Sequence, residues 1–338
     1  MRDVLVAGGG PVGLAAATYA RAAGLSVAVV EPRSAPVDKP CGEGLMPGAV
    51  HRLSALGVAV DGRPFRGIRY VAGRREAAAH FRAGPGVGVL RTTLHAALQA
   101  RAEQAGVEIV RGRVDDLVQE ADRVHAAGLS ARWLLAADGL HSPVRRALGL
   151  DRPARGAVRY GQRRHFRAAP WTDLVEVHWA ADAEAYVTPV GDDLVGVAVL
   201  GPRGAAYDEM LSRFPGLGER LASAAAAGDV RGAGPLRQVT AARRKGRVLL
   251  VGDAAGYVDA LTGEGIATGL ATAEVAVAAV AAGRPETYER AWRLATRRYR
   301  LLTTALLRGT QVPAVRSALL PAAQRLPVVF GAAVNLLA

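Results

Sequence analysis

DVLVAGGGPVGLAAATYARAA, residues Asp3–Ala23, decides how this chain folds. Asp3 to Ala7 has the apolar character of a buried strand and runs without a break into Gly8-Gly9-Gly10-Pro11-Val12-Gly13. The alanine-rich stretch Leu14 to Ala23 then reads as a helix. Gly8, Gly10 and Gly13 therefore form G-x-G-x-x-G between a strand and a helix, which is the context that gives the motif meaning. Gly8 makes the tight turn, Gly10 lets a pyrophosphate reach the helix N-terminus, and Gly13 allows helix and strand to pack closely. A second strand, Leu25 to Val30, delivers Glu31 at the spacing expected for a ribose hydroxyl contact. The stretch predicts a bound nucleotide.

A second informative stretch lies far away in sequence: GRVLLVGDAAGYVDALTGEGIATGL, Gly246 to Leu270. The apolar run Val248 to Val251 ends at Gly252-Asp253, placing a carboxylate at a strand tip where it can bond sugar-like hydroxyls. Gly263 and Gly265 open a helix whose bare N–H groups could approach an electron-rich ring carbonyl. Between the two stretches, Trp133 to Arg146 carries another strand into Asp138-Gly139 and then a short basic helix.

Three such segments in this order resemble the para-hydroxybenzoate hydroxylase superfamily of FAD-dependent oxidoreductases, over nearly the whole chain. The resemblance implies an α/β fold: a Rossmann-like FAD-binding domain, an inserted antiparallel β-sheet substrate domain and C-terminal helices. It implies that Gly8, Gly10, Pro11, Val12, Gly13, Glu31 and Arg33 hold the ADP half of FAD, and that Asp253, after Gly252, holds the ribityl chain. Gly263, Gly265 and Ile266 would face the flavin ring, and Asp138 and Gly139 would border FAD and a passing nicotinamide. Arg91, Val114, Cys41 and Gly42 complete the expected FAD surroundings. The loop Lys39-Pro40-Cys41-Gly42-Glu43-Gly44-Leu45 and the phrase Leu261-Thr262-Gly263-Glu264-Gly265 are similar to the geranylgeranyl reductase branch and to some short bacterial hydroxylases near it. That branch's aromatic substrate motif survives only as Glu184, Tyr186, Thr188 and Pro189, and Ala260 stands where a proline commonly precedes the flavin-facing glycines.

Composition fits an enzyme with a large core: 338 residues, 50% hydrophobic and 22% charged. The formal charge of +13 comes from arginines scattered in ones and pairs, with Lys39 and Lys245 the only lysines, so no nucleic-acid partner is expected. Cys41 is the only cysteine, which rules out an internal disulfide and a CxxC pair, and no metal site is expected. The chain enters a strand at once and no segment reads as a membrane span, so a cytoplasmic location is expected. The apolar tail Leu326 to Ala338, with Leu306, Leu307, Leu319 and Leu320, is read as capping the core; peripheral membrane contact is its other reading.

Nucleotide-binding pieces near both ends and in the middle require the second lobe to be an insertion. The FAD-binding domain is expected over 1–64, 86–154 and 240–283, the substrate domain over 65–85 and 155–239, and a helical segment over 284–338. Alternation in Arg155 to Ala168, Leu174 to Trp179, Ala185 to Val190 and Leu194 to Leu200 predicts an antiparallel sheet, joined by Phe65 to Val71 and Glu76 to Arg82. A helical stretch is expected over Ala205 to Ala227, and further helices over Thr268 to Ala281 and Pro285 to Leu307.

Without a second G-x-G-x-x-G the chain has no separate nicotinamide domain, so NAD(P)H is expected as a transient co-substrate. The expected activity is hydroxylation of a hydrophobic aromatic or polyketide-like small molecule with NAD(P)H and O2, through the flavin C4a-hydroperoxide. The alternative is reduction of prenyl or other alkene double bonds. Strand periodicity puts Glu184, Tyr186 and Thr188 on one face. The resemblance implies that this face looks at the substrate, with Tyr186 against it and His178 on the next strand as the candidate to assist deprotonation.

Overall fold

The computed structural model describes residues 1–336 except 155 and 157. Its larger sheet runs in the order Arg244–Lys245, Val248–Leu250, Leu129–Ala136, Arg2–Ala7, Val27–Glu31, Glu108–Arg111, with two short antiparallel strands beside Leu129–Ala136. The last five of these pair in parallel, and the strands Arg2–Ala7 and Val27–Glu31 are almost wholly buried. Parallel strands covered on both faces account for their continuous Val, Leu and Ala runs. The covering helices include Pro11–Ala22, Arg91–Gln104 and Gly265–Ala281. Their close approach depends on glycine: a Cβ on Gly13 would lie 1.8 Å from the Gly8 carbonyl oxygen, and one on Gly269 would lie 2.4 Å from Val12.

A seven-stranded sheet stands apart from the first, in the order Ala225–Ala233, Tyr160–Arg167, Leu194–Gly201, Glu184–Pro189, Val175–Trp179, Gly67–Ala72, Arg75–His80. One of its faces packs Phe166, Ala185, Val187, Val195 and Val197 against Tyr207, Met210, Phe214 and Leu217. The expected antiparallel pattern needs one correction, because Val175–Trp179 and Gly67–Ala72 run parallel. The start of the expected strand at 155 and 157 lies outside the described residues; the strand observed there begins at Tyr160.

The expected helix over Ala205 to Ala227 is also corrected. Two short helices, Tyr207–Leu211 and Pro215–Leu221, occupy its first part, and Ala225–Ala233 is an edge strand paired with Tyr160–Arg167. Pro215 forces the break between the helices, and an open sheet edge recruits alanines whose local preference is helical. Beyond Gly265–Ala281, the chain forms Tyr288–Gln311, Pro313–Arg325 and Pro327–Asn335. The last two lie on Arg75–His80, where Leu320, Phe330 and Val334 pack against Phe65 and Tyr70.

Candidate functional site

A cavity of about 310 Å³ opens between the two sheets. Its nucleotide side carries Gly10, Pro11, Val12, Arg91, Gly139 and Asp253, and its other wall carries Phe65, Ile68, Tyr70, Val175, Val177 and Tyr186. Cys41, Gly42, Gly263, Gly265 and Ile266 also line it. The remaining residues expected around the cofactor stand behind this surface. Gly8 and Gly13 shape the turn, and Gly252 donates its N–H to Thr272 Oγ1 at 3.0 Å while packing on Val12. Glu31 accepts from the Gly9 N–H at 2.8 Å and from Arg33. Val114 is buried in the main core.

The backbone fits a dinucleotide. Gly10 caps the helix with an extended conformation at φ −70°, and a Cβ there would meet only Arg91 Nη2, at 4.0 Å. Gly10 is thus bare toward the cavity, whereas Gly8 and Gly13 are bare toward protein. Two buried polar atoms nearby have no partner in the protein, Arg91 Nη1 and Asp138 Oδ1, which leaves a donor and an acceptor for a ligand. The other Asp138 oxygen accepts from the Val144 N–H at 3.0 Å. These features suit FAD: glycines for the pyrophosphate, Glu31 for a ribose and Asp253 for the ribityl hydroxyls.

Burial sets the electrostatics of this side. It pushes the carboxyls of Asp253 and Asp138 up, with Lys39, Arg91 and Arg145 opposing the shift at Asp253. It likewise pulls Lys39 and Arg91 down and holds the Cys41 thiol up, in its protonated form. At Glu31 burial acts upward, but hydrogen bonds from Arg33 and the Gly9 N–H prevail and keep the carboxyl below its usual range.

Tyr186 and Thr188 face the cavity as the strand period requires, while Ala185 and Val187 face the opposite core. The Tyr186 hydroxyl is already engaged, lying 2.9 Å from Glu184 Oε2 and 3.1 Å from the Leu261 carbonyl oxygen. Burial and the Glu184 charge raise its phenol well above the ordinary value, so it contributes a ring to the wall and no base. His178 is a correction. Val177, not His178, pairs with Tyr186, so the pleat turns His178 to the far face, where Nε2 lies 3.1 Å from Glu176 and the ring meets Phe214 edge-on.

Two groupings escaped sequence reasoning. Glu43, in left-handed backbone at φ 59°, accepts the Arg91 N–H at 2.9 Å and lies 2.7 Å from His165 Nε2. Arg163 Nη1 lies 3.1 Å from His165 Nδ1, and since arginine only donates, the neutral imidazole carries its hydrogen on Nε2, facing Glu43. Arg145, almost fully buried, donates to the carbonyls of Leu140 and Ala254 at 3.0 and 3.2 Å and so ties the Asp138-Gly139 turn to the Gly252-Asp253 turn. A glutamate between glycines is the only local signal for the first; its partners Arg91 and His165 lie 48 and 122 residues on.

Residues 1–184 match the model of an FAD binding domain family. The chain is 31% identical over 334 residues to menaquinone reductase of Mycolicibacterium smegmatis, covering 86% of this chain and 79% of that protein. It is 28% identical over 311 residues to digeranylgeranylglycerophospholipid reductase 2 of Methanopyrus kandleri, covering 81% and 75%. Among solved structures, a flavoprotein/dehydrogenase from Cytophaga hutchinsonii superposes with a TM-score of 0.82 at 19% identity, covering 91% of this chain and 86% of the other. A geranylgeranyl bacteriochlorophyll reductase-like protein from Thermoplasma acidophilum gives 0.79 at 22% identity, covering 94% and 89%. With the glycine cradle, the carboxylates of Glu31 and Asp253 and the matched family in agreement, the chain belongs to the FAD binding domain family and is an FAD-dependent oxidoreductase.

Proposed function

We propose that this flavoenzyme reduces isolated carbon–carbon double bonds in the prenyl chain of a hydrophobic substrate, with NAD(P)H as the transient reductant. The observation that carries the reading is the apolar wall opposite the nucleotide side, made by Phe65, Ile68, Tyr70, Val175 and Val177. Such a wall has few groups to orient a polar ring and much surface to hold a hydrocarbon chain. The names of the relatives support the choice of reaction, because menaquinones and digeranylgeranyl lipids both carry prenyl chains.

Saturation of an alkene takes a hydride and a proton, and bound FAD would, once reduced, supply the hydride. Asp253, Arg91 and the Gly10 turn bind the cofactor, and the 259–265 segment holds its position against the substrate wall. Leu261 is fixed by Asp259 Oδ1 and by the Tyr186 hydroxyl, so the ring of Tyr186 stays in place and excludes water from one side of the cavity. His165 keeps Glu43 paired, and Glu43 in turn fixes the start of the Arg91 helix.

The hydroxylase expectation loses its proposed base, since His178 faces away and the Tyr186 phenol is engaged. Product mass decides between the two reactions. Incubation with NAD(P)H and a menaquinone in the absence of oxygen is expected to yield a product that stays heavier by two hydrogens, located in the prenyl chain, after its ring is reoxidised to the quinone. A product that forms only with oxygen and gains one oxygen atom overturns the reductase reading.

A further inference from the structure

We propose that the C-terminal helix pair is a docking surface for an anionic lipid bilayer. Capping of the core explains only one face of Pro327–Asn335. That face holds Val334 and the half-buried Phe330, and Asn335 bonds to the Arg82 N–H and the His80 carbonyl. On the other face every solvent-exposed residue is apolar: Pro327, Val328, Val329, Ala332 and Ala333. Val328 and Val329 are 74% and 61% exposed, and Leu326 and Leu336 flank them at 56% and 50%. A surface helix that turns apolar residues outward inverts the usual pattern, and a contiguous patch of this kind calls for a partner.

Charge identifies the partner. From Arg290 to Ala338 the chain has eight arginines and neither aspartate nor glutamate. Arg308 and Arg325, at the ends of the two helices leading into the patch, are exposed. An apolar strip on a segment with cations and no acids of its own matches acyl chains below anionic headgroups, and the strand beneath it adds one exposed acid, Glu76, among the exposed Arg74, Arg75 and Arg82. A second protein surface would need acids of its own and gains nothing from this one-sided balance. The two helices meet at 107°, so the pair does not form one straight span. Its inner face covers Phe65 and Tyr70, which also wall the cavity, so docking would bring the membrane next to the substrate chamber.

The test uses the intact FAD-loaded protein and flotation with vesicles of phosphatidylcholine, alone or mixed with phosphatidylglycerol. The protein is expected to float with the mixed vesicles and not with phosphatidylcholine alone, and to be released by high salt. Val328→Asp with Val329→Asp should lower binding at least about tenfold, and Arg325→Glu should lower it less, both with unchanged FAD content and circular dichroism. Absence of flotation with mixed vesicles, equal flotation with both kinds, or flotation unaffected by the aspartates overturns the proposal. So does a dimer in sedimentation velocity that the aspartates dissociate, which would assign the patch to a second copy of the chain. Binding is read without turnover, so failure here leaves the reductase reading standing, and failure of that reading leaves this one standing.

Discussion

Gly10 and Gly13 belong to one motif yet are glycines for different reasons, and single methyl groups separate them. An alanine Cβ at 10 meets only a flexible guanidinium end at 4.0 Å, and the backbone there suits any residue. At position 13 it would sit 1.8 Å from a backbone oxygen. Gly10→Ala or a larger residue should leave the apoprotein's melting temperature nearly unchanged while FAD content falls sharply. Gly13→Ala should destabilise the apoprotein itself, by roughly 1–3 kcal/mol or more. Equal melting temperatures for the two variants would refute the distinction.

Glu264 is the other informative single residue. One of its oxygens is buried without a partner, and burial pushes its carboxyl up to about 7 despite opposition from Arg298. The folded form therefore holds a proton that the unfolded chain releases near its ordinary value of 4.5. Stability declines as pH rises between those two values, and above both the burial penalty is complete. Glu264→Gln removes the titration, so its melting temperature should exceed the wild type's by a margin that widens from about pH 5 to about pH 8. A margin independent of pH would show that Glu264 is not held protonated.

At the scale of elements, the motifs that were legible are those in which strand, turn and helix follow one another in the chain. Arg2–Ala7 and Pro11–Ala22 fall within a residue or three of the sequence reading, as does the helix opening at Gly265. What pairs across the fold was not legible. Nothing local sets Val177 rather than His178 opposite Tyr186, or lays Gly67–Ala72 parallel to Val175–Trp179. A one-residue difference in register exchanges the two faces of a strand, which is why His178 was misjudged while Tyr186 was not.

The clamp between sheet and flavin-facing loop was hidden for the same reason. Arg159 pairs with Glu184 at 2.8 Å and donates to Asp259 at 3.1 Å, and both carboxylates are buried. Arg159→Leu strands two buried acids, so it should cost about 3–5 kcal/mol in urea unfolding. If Arg159→Leu unfolds at the wild-type midpoint, the clamp has no energetic role.

The described residues form two large sheets with a cavity between them, two small sheets and a helical tail across one edge. Its α/β, FAD-binding character follows from motifs present in the sequence, and the composition excluded a disulfide. The net charge of +13 did not single out the tail: its lack of acids is readable in the sequence, but which of its apolar residues face outward shows only when exposure is known. Substrate choice is the least legible property of all, since the wall is assembled from Phe65, Tyr70, Val175 and Val177, which look like ordinary core residues in sequence.

Single-turnover oxidation of the reduced flavin separates alkene reduction from oxygen transfer. The enzyme-bound flavin is reduced under argon, freed of excess reductant and mixed with a menaquinone whose ring is already in the quinol form. This leaves prenyl double bonds as the only acceptors. The oxidised flavin absorbance is expected to return together with a saturated prenyl unit in the product, and not to return with a fully saturated analogue. A flavin that stays reduced until air is admitted, and then gives an oxygenated product, contradicts the reductase reading.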